Sequence, residues 1–407
     1  MKKKRILFIT NSLQKAGSEK YVYELVSHIN KEMFDVEVLT TCGVLCEKDF
    51  PHYYYFKLID KGIKIHTLLH SFHPVRLKGE RFIQKIPLLS TLYFVIINQI
   101  NRLRRKIKYE KELRSLFLGF NAIILIDALY YYEIKNSLPK GIYFETHLMC
   151  HQAQFKNDFR IYQAYEQNIP YNFVYIDCYQ IKEIECQGKA IGNTFYLPLS
   201  INFSGLSMNA NNFEVSKHAP TINIGVFTRI NRIKPIENIL EAFEILFTLN
   251  KNVCLRIFGK VQDDVYYNEL NELIQKKGMV NCVSFEGHTN DMLKSIKDSD
   301  ITLIWVVSIF DFVGYAAIEI CLNNVPIVLC NIDNNMTSKL INDASCIPPY
   351  FYDYKELAIY TNNTIINGNI GQLMHKEKTA YMASRNLSEN IKKYEDFLSK
   401  NLELNLL

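Results

Sequence analysis

With 407 residues, 48% of them hydrophobic and 22% charged, the chain exceeds one ordinary core and has the composition of a folded globular protein, so two domains are expected and a disordered chain is excluded. The net charge of +5 is local: residues 75–114 hold eleven Lys or Arg against three acids, a net of +8, which leaves the remainder slightly acidic. The ten cysteines include no CxxC pair and no zinc spacing, so they read as reduced thiols, several behaving as small hydrophobes in apolar runs.

In chain order, RILFIT (5–10) is a short buried strand with a basic preface. Its apolar part is too short for the roughly 7–15 residues of a secretory leader. A helix is expected over Glu19–Ile29, where Tyr21, Leu25 and Ile29 recur at helical spacing. Strands follow at 35–40, 63–68, 122–127, 141–146 and 173–176. Short apolar runs of this kind, separated by helical or polar stretches, are the pattern of a parallel sheet. IPLLSTLYFVIINQI (86–100) is the most apolar segment, yet it falls short of the ~18 apolar residues of a membrane span. Residues 203–220 are polar, aperiodic and end in Pro220, which reads as a linker.

The alternation then restarts: strands at 221–227, 253–259, 283–287, 300–307 and 325–330, with helices at 236–249, 266–276, 292–297 and 315–322, and a helical tail from 383. The expected fold class is α/β, with two doubly wound, Rossmann-like domains at 1–202 and 221–380. A C-terminal helix at 381–407 would cross back to the first domain. Ligands of open α/β sheets bind beyond the carboxyl ends of the strands, so the loops after strands hold the candidates.

After the first strand, Gly17 precedes Ser18 and Glu19 at a helix start. Glycine permits close backbone approach and free first-turn amides favour an anion; Ser18 as an ordinary cap is the plainer reading. After strand 221–227, Arg229 and Lys234 lie five apart with Arg232 between them. Fixed cations at a helix start suit a diphosphate, and a solvated basic loop has the same composition. After strand 300–307 come Asp311, Gly314, Tyr315 and Glu319. A carboxylate accepts two hydroxyl hydrogen bonds well, which suits ribose or hexose; a cap and a surface acid fit the same residues. Asp263-Asp264 reads as a solvated pair, and no metal site is expected.

Together these loops resemble the nucleotide-binding domain of the GT-B retaining glycosyltransferases, in particular glycosyltransferase family four. The resemblance covers residues 221–345 well. Arg229 and Lys234 match that family's Arg and Lys after the first strand of the domain. Asp311, Gly314 and Glu319 match its two acids separated by seven intervening residues, with Asp replacing the usual first Glu. LRIFG ending at Gly259, VSFEG ending at Gly287, Ser299-Asp300 and NNVPIVL fit as landmarks. The first half resembles the family more loosely: AGSEK (16–20) is similar to its Gly-Gly-x-Glu loop, with Ala16 for the first glycine. FETHLMCH (144–151) is similar to the segment holding a histidine near the reaction centre, with His147 the best match and His151 the second. YLPLSIN (196–202) lacks the Asn-Gly of a linker motif.

The resemblance implies that Arg229 and Lys234 bind the donor diphosphate and that Glu319 holds the ribose. Asp311 would orient the donor sugar, and Gly17, Gly259, Gly314 and Tyr315 would line the donor site. The Gly17 loop and His147 would serve the acceptor side. It implies a metal-independent, cofactor-free hexosyltransferase that retains configuration. Such an enzyme would move a hexose from a UDP- or GDP-sugar to a glycan or lipid-linked acceptor in bacterial surface polysaccharide synthesis. A nucleotide-sugar epimerase of the same fold and a non-catalytic partner subunit are the alternatives. A NAD-dependent oxidoreductase is disfavoured because no GxGxxG follows a strand. Residues 75–114, cationic and partly apolar, suit an anionic membrane surface; no nucleic-acid module is present. The expected location is cytoplasmic and peripheral on the inner face of the membrane.

Overall fold

The computed structural model describes residues 3–14, 17–41, 53–68, 87–127, 131–149, 172–176, 180, 193–203, 221–232, 234, 236–289, 291–308, 314–331, 348–351 and 353–404. The chain forms two compact units, residues 1–197 with 388–407, and residues 198–387.

The first unit is built on seven parallel strands: β1 (Lys4–Thr10), β2 (Phe34–Thr40), β3 (Lys64–Thr67), β4 (Ala122–Ile126), β5 (Tyr143–Leu148), β6 (Asn172–Tyr175) and β7 (Thr194–Tyr196). Their order is β3-β2-β1-β4-β5-β6-β7. Ile6 to Ile9 and all of β4 are buried. Both faces of these strands are covered, which is why they read as unbroken apolar runs. β5 starts two residues later than the sequence suggests, because Gly141 sits in a turn at φ +75°. Helix α1 (Gly17–His28) packs Tyr21, Val22, Leu25 and Val26 inward. α2 (Tyr53–Asp60) follows, its YYYFKLID masked as a helix by β-prone aromatics, with only Tyr54 and Leu58 buried. The basic segment contributes one long helix, α3 (Pro87–Phe117), and α4 (Tyr131–Ile134) is a single turn.

Glu37 ties three strands together. Its buried carboxylate accepts from Arg5 on β1 at 2.6 Å and pairs with Lys64 at 3.3 Å and with His66, both on β3. Burial alone would raise the Glu37 carboxyl; the hydrogen bonds from Arg5, His66 and Lys64 outweigh it and hold it at about 2.

The second unit has six parallel strands: β8 (Ile222–Phe227), β9 (Val253–Phe258), β10 (Val283–Gly287), β11 (Ile301–Ser308), β12 (Ile327–Asn331) and β13 (Tyr350–Phe351). Their order is β10-β9-β8-β11-β12-β13. The helices are α5 (Ile236–Leu249), α6 (Asp264–Lys276), α7 (Met292–Asp298), α8 (Tyr315–Leu322), α9 (Tyr354–Ile366) and α10 (Ile370–Ser384). Val226, Phe243, Leu255, Leu303 and Trp305 lie in the core, and the Trp305 indole donates to Thr361 Oγ1 at 3.1 Å.

The last helix, α11 (Leu387–Leu404), belongs to the first unit from Ser388 onward. There Tyr394 and Leu398 are wholly buried, and the Glu395 carboxylate accepts the Asn30 N–H at 2.5 Å. The units divide at 197/198 and 387/388 rather than at 202 and 381. The two segments pair with each other across the sequence: Ile201 N–H donates to Arg385 O at 3.0 Å and Leu387 N–H to Ile201 O at 3.2 Å, and both fall in the second unit. Residues 204–220 of the expected linker lie outside the described residues.

Gly259, just after β9, is required by close approach. A Cβ there would stand 1.7 Å from the Thr228 carbonyl oxygen, and neither backbone can yield. Gly259→Ala should therefore destabilise the second unit by about 3 kcal/mol or more. A Cβ at Gly314 meets nothing within 4 Å, so Gly314→Ala should change stability by less than about 1 kcal/mol. Urea unfolding of both variants measures the contrast.

Candidate functional site

In the second unit the strand order reverses between β8 and β11, which are hydrogen-bonded neighbours. This is the topological switch point, where a crevice opens at the carboxyl ends of the strands. The loop with Arg229 and Lys234 leaves β8 there, and the segment leading to Gly314 leaves β11 beside it. The topology therefore brings together two motifs that are some eighty residues apart in sequence.

The β8 loop is held by its neighbours. Thr228 N–H donates to Phe258 O at 2.9 Å and Ile230 N–H to Lys260 O at 3.1 Å, with Gln262 N–H returning to Ile230 O at 3.0 Å. The loop can lie this close because residue 259 has no side chain. Gly259 thus supports the loop from behind. Its far end is fixed by Tyr266 on α6. The Tyr266 hydroxyl accepts the Ile236 N–H at 3.1 Å. Its single proton is shared between the Lys234 carbonyl, at 3.0 Å, and the Glu237 carboxylate. Burial, then the Glu237 hydrogen bond, pushes the Tyr266 phenol up. No motif in the sequence pointed to Tyr266, because it sits on the helix after the next strand.

The three cations of this loop differ in their surroundings. Arg232 pairs with Glu269 at 2.6 Å and Asp263 at 3.5 Å, and lies over the Tyr266 ring at 5.3 Å. Arg229 is exposed and Lys234 half-buried, and among the described residues neither has a carboxylate partner. Burial, then repulsion from Arg229, lowers the Lys234 ammonium from its ordinary value. An arriving anion relieves that repulsion, so the pair is an electrostatic vacancy for negative charge. Asp263 caps α6, accepting the Tyr266 N–H at 2.9 Å, so the adjacent acids are a helix start.

Beside this loop, Gly314 is the N-cap of α8 in extended backbone, with no side-chain cap. Tyr315 is buried and Glu319, one turn further, half-buried. Asp311 lies outside the described residues.

In the first unit, Gly17 opens α1, so Ser18 falls inside the first turn instead of before it. The buried Glu19 carboxylate accepts from Ser12 Oγ at 2.5 Å and Ser18 Oγ at 2.7 Å, which closes the β1–α1 loop. Asp127, at the carboxyl end of β4, has φ +79°. Non-glycine residues are uncommon there, and such backbone strain gathers at functional sites. Its N–H donates to His147 O at 2.9 Å. The sequence reading placed Asp127 within a strand and had no signal for its conformation.

His147 stands differently from the expectation. It is 0% exposed, and both ring nitrogens are engaged. Nε2 meets Glu145 Oε1 at 2.7 Å and the Tyr394 hydroxyl at 3.1 Å, and Nδ1 meets the Tyr21 hydroxyl at 2.7 Å. With Nε2–H donating to Glu145, Nδ1 accepts the Tyr21 proton. Glu145 also accepts from Tyr394 at 2.6 Å and Tyr143 at 2.7 Å. The imidazole therefore fastens α1, β5 and α11 together in the core of the first unit instead of facing a ligand. His151 lies outside the described residues.

No protein-family model matches the chain, and no curated protein sequence matches it. Solved structures do. HepE from Anabaena, in complex with UDP, superposes with a TM-score of 0.67 at 13% identity, over 97% of this chain and 100% of that one. TarM gives 0.66 at 12%, over 97% and 98%. The lipopolysaccharide outer core galactosyltransferase WaaB gives 0.62 at 11%, over 99% and 100%. At these identities the likeness speaks for architecture: the chain has the GT-B fold, with two Rossmann-like parallel-sheet domains.

Proposed function

We propose that this protein is a glycosyltransferase that takes a hexose from a nucleotide sugar. The observation that carries the reading is the mutually repelling pair Arg229 and Lys234, without a carboxylate partner among the described residues, at the switch point of the second unit, beside the start of α8. HepE has been solved with UDP and with UDP-glucose, and WaaB is a galactosyltransferase, which supports a nucleotide-sugar donor.

In this reading the bond between the anomeric carbon and the diphosphate oxygen breaks, and a new bond forms from that carbon to an acceptor hydroxyl, whose proton departs. Charge builds on the leaving diphosphate. Arg229 and Lys234 meet it with preorganised positive charge, usually the largest single contribution to such catalysis. The first-turn amides of α8 add to it. Glu319 holds the ribose hydroxyls and Asp311 the donor sugar. Asp311 is one methylene shorter than the Glu of the resembled family, so its reach sets which sugar hydroxyl it takes. The first unit, with the Gly17 loop and Asp127, serves the acceptor. Retention of configuration, a glycan or lipid-linked acceptor, and bacterial surface polysaccharide assembly complete the proposal.

Helix α3 extends the reading to a membrane surface. Leu113 and Phe117 anchor its end in the core, while Ile100, Leu103 and Ile107 are 40%, 59% and 67% exposed along one face, flanked by exposed Arg104, Lys106 and Lys111. Among the described residues no helix is long and apolar enough to cross a membrane. A cationic helix with an exposed apolar stripe suits the interface of an anionic bilayer.

Two outcomes test this reading. Lys234→Ala should lower nucleotide-sugar affinity about 10- to 150-fold, since charge-assisted contacts contribute ~1.5–3 kcal/mol. The unfolding midpoint of the ligand-free protein should hold or rise, because a repelled, half-buried cation has gone. Arg232→Ala, by contrast, should leave affinity unchanged. Calorimetry with UDP-, GDP- and ADP-sugars decides, and equal affinity in Lys234→Ala and wild type sinks the assignment. In co-sedimentation with phosphatidylglycerol vesicles, the wild type should bind and Leu103→Glu/Ile107→Glu should lose about tenfold or more. A wild type that stays in the supernatant removes the membrane role.

A further inference from the structure

Two consecutive residues of α10 hold the turn that joins α8 to β12. Glu377 Oε2 accepts the Ile327 N–H at 2.9 Å and the Cys321 thiol at 3.3 Å. Lys378 Nζ donates to Asn324 Oδ1 at 2.6 Å. These contacts fall on the last turn of α8, on the first residue of β12, and on Asn324 between them at φ +65°. The turn is therefore gripped at three points by one helix.

Glu377 is 0% exposed, and among the described residues its Oε1 has no hydrogen-bond partner. Such a carboxyl is costly to bury, and an apolar side chain would pack there more cheaply. What the carboxyl supplies is an acceptor for the Ile327 amide and for Cys321, which fixes the end of α8 to the start of β12. α8 is a rigid rod of eight residues. Fixing its carboxyl end also fixes its amino end, where Gly314 and Tyr315 stand, and with it Glu319 one turn further along.

We propose that Glu377 is a positioning residue of the donor site: by gripping the α8–β12 turn it sets where α8 presents its first-turn amides and Glu319 to a nucleotide sugar. This rests on the donor-site reading of the second unit.

The grip is sensitive to pH. Burial raises the Glu377 carboxyl to about 8, against the lowering effect of its bonds to Ile327 and Cys321 and of Lys376. The groups facing it are Cys321 on α8, Tyr360 on α9 and Lys376 on α10. The Cys321 thiol and Tyr360 phenol are themselves pushed up, first of all by burial, and stay protonated while Glu377 titrates. A cavity of about 330 Å³, lined by Pro349, Tyr360, Asn363, Leu373 and Lys376 among others, comes up to Glu377. The sign follows from linkage. A carboxyl raised in the folded state binds more protons folded than unfolded, so the contribution of Glu377 to stability is greatest below about 4.5 and declines as pH rises toward 8. Above that, a bare charged Oε1 in the interior draws water in and loosens the turn.

The test compares wild type, Glu377→Gln and Glu377→Ala at pH 7 and pH 9. One readout is amide exchange over residues 315–330 in ligand-free protein, and the other is affinity for UDP-glucose, GDP-mannose and ADP-glucose. At pH 7, Glu377→Ala should speed exchange and weaken nucleotide-sugar affinity about tenfold, with Glu377→Gln restoring most of both. Between pH 7 and pH 9 the wild type should lose affinity severalfold while Glu377→Gln stays flat. Identical pH profiles for wild type and Glu377→Gln overturn the proposal, and this comparison decides if Glu377→Ala fails to fold. Faster exchange with unchanged affinity overturns it too, leaving Glu377 a purely structural group. If the wild type binds none of the three sugars, the donor-site reading has failed and the positioning role falls with it. The exchange data then still report whether the turn is gripped.

Discussion

One steric constraint underlies the candidate site: the Thr228 carbonyl occupies the space that any side chain at position 259 would need. Because residue 259 is glycine, the loop after β8 can run against the segment after β9 and exchange backbone hydrogen bonds with it. That contact, with Tyr266 at the other end, holds Arg229 and Lys234 on a braced loop. A loose loop would let two like charges separate into solvent. Here they are kept near each other at a cost that a bound anion removes. Preorganisation of this kind lets an electrostatic site favour a developing negative charge without first rearranging itself.

The same loop shows why counting cations is a poor guide to function. Arg232 lies between the two candidates in sequence, yet it is satisfied by Asp263, Glu269 and the Tyr266 ring. It ties the loop to α6. Among the described residues Arg229 and Lys234 have no carboxylate partner. The proposed glycosyl transfer, with its diphosphate leaving group, would use this division between charges that hold the scaffold and charges that hold the ligand.

Much of the fold was legible in the sequence. β1, β4 and β11 are continuous apolar runs because both of their faces are covered, and the restart of the alternation near residue 221 marked the second unit. What escaped depends on long-range pairing. The division between the units shifted because Ile201 bonds to residues 385 and 387, which no local pattern encodes. His147 looked like a ligand contact from its place at a strand end. Its partners Tyr21 and Tyr394 lie 126 and 247 residues away, and only the fold shows that they enclose it. Tyr266 and Glu377 were invisible for the same reason: each acts on a distant loop from a helix whose own sequence is unremarkable. The Arg229, Lys234 and Glu319 spacing was readable because each follows a strand closely in sequence, Arg229 and Lys234 in the loop after β8 and Glu319 in the helix after β11. Asp311, the departure from the resembled pattern, lies outside the described residues.

Binding of a nucleotide sugar at the β8/β11 switch point of the second unit underlies the proposed function. It is tested most directly by a thermal-shift panel of UDP-, GDP- and ADP-sugars, since a ligand that binds the folded state stabilises it by RT ln(1 + [L]/Kd). At a hundred times Kd that is about 2.7 kcal/mol, a rise of several degrees in Tm. The account predicts such a rise for at least one of the three nucleotides and its loss in Arg229→Ala/Lys234→Ala. No shift with any of them, in a protein that unfolds cooperatively, would contradict it.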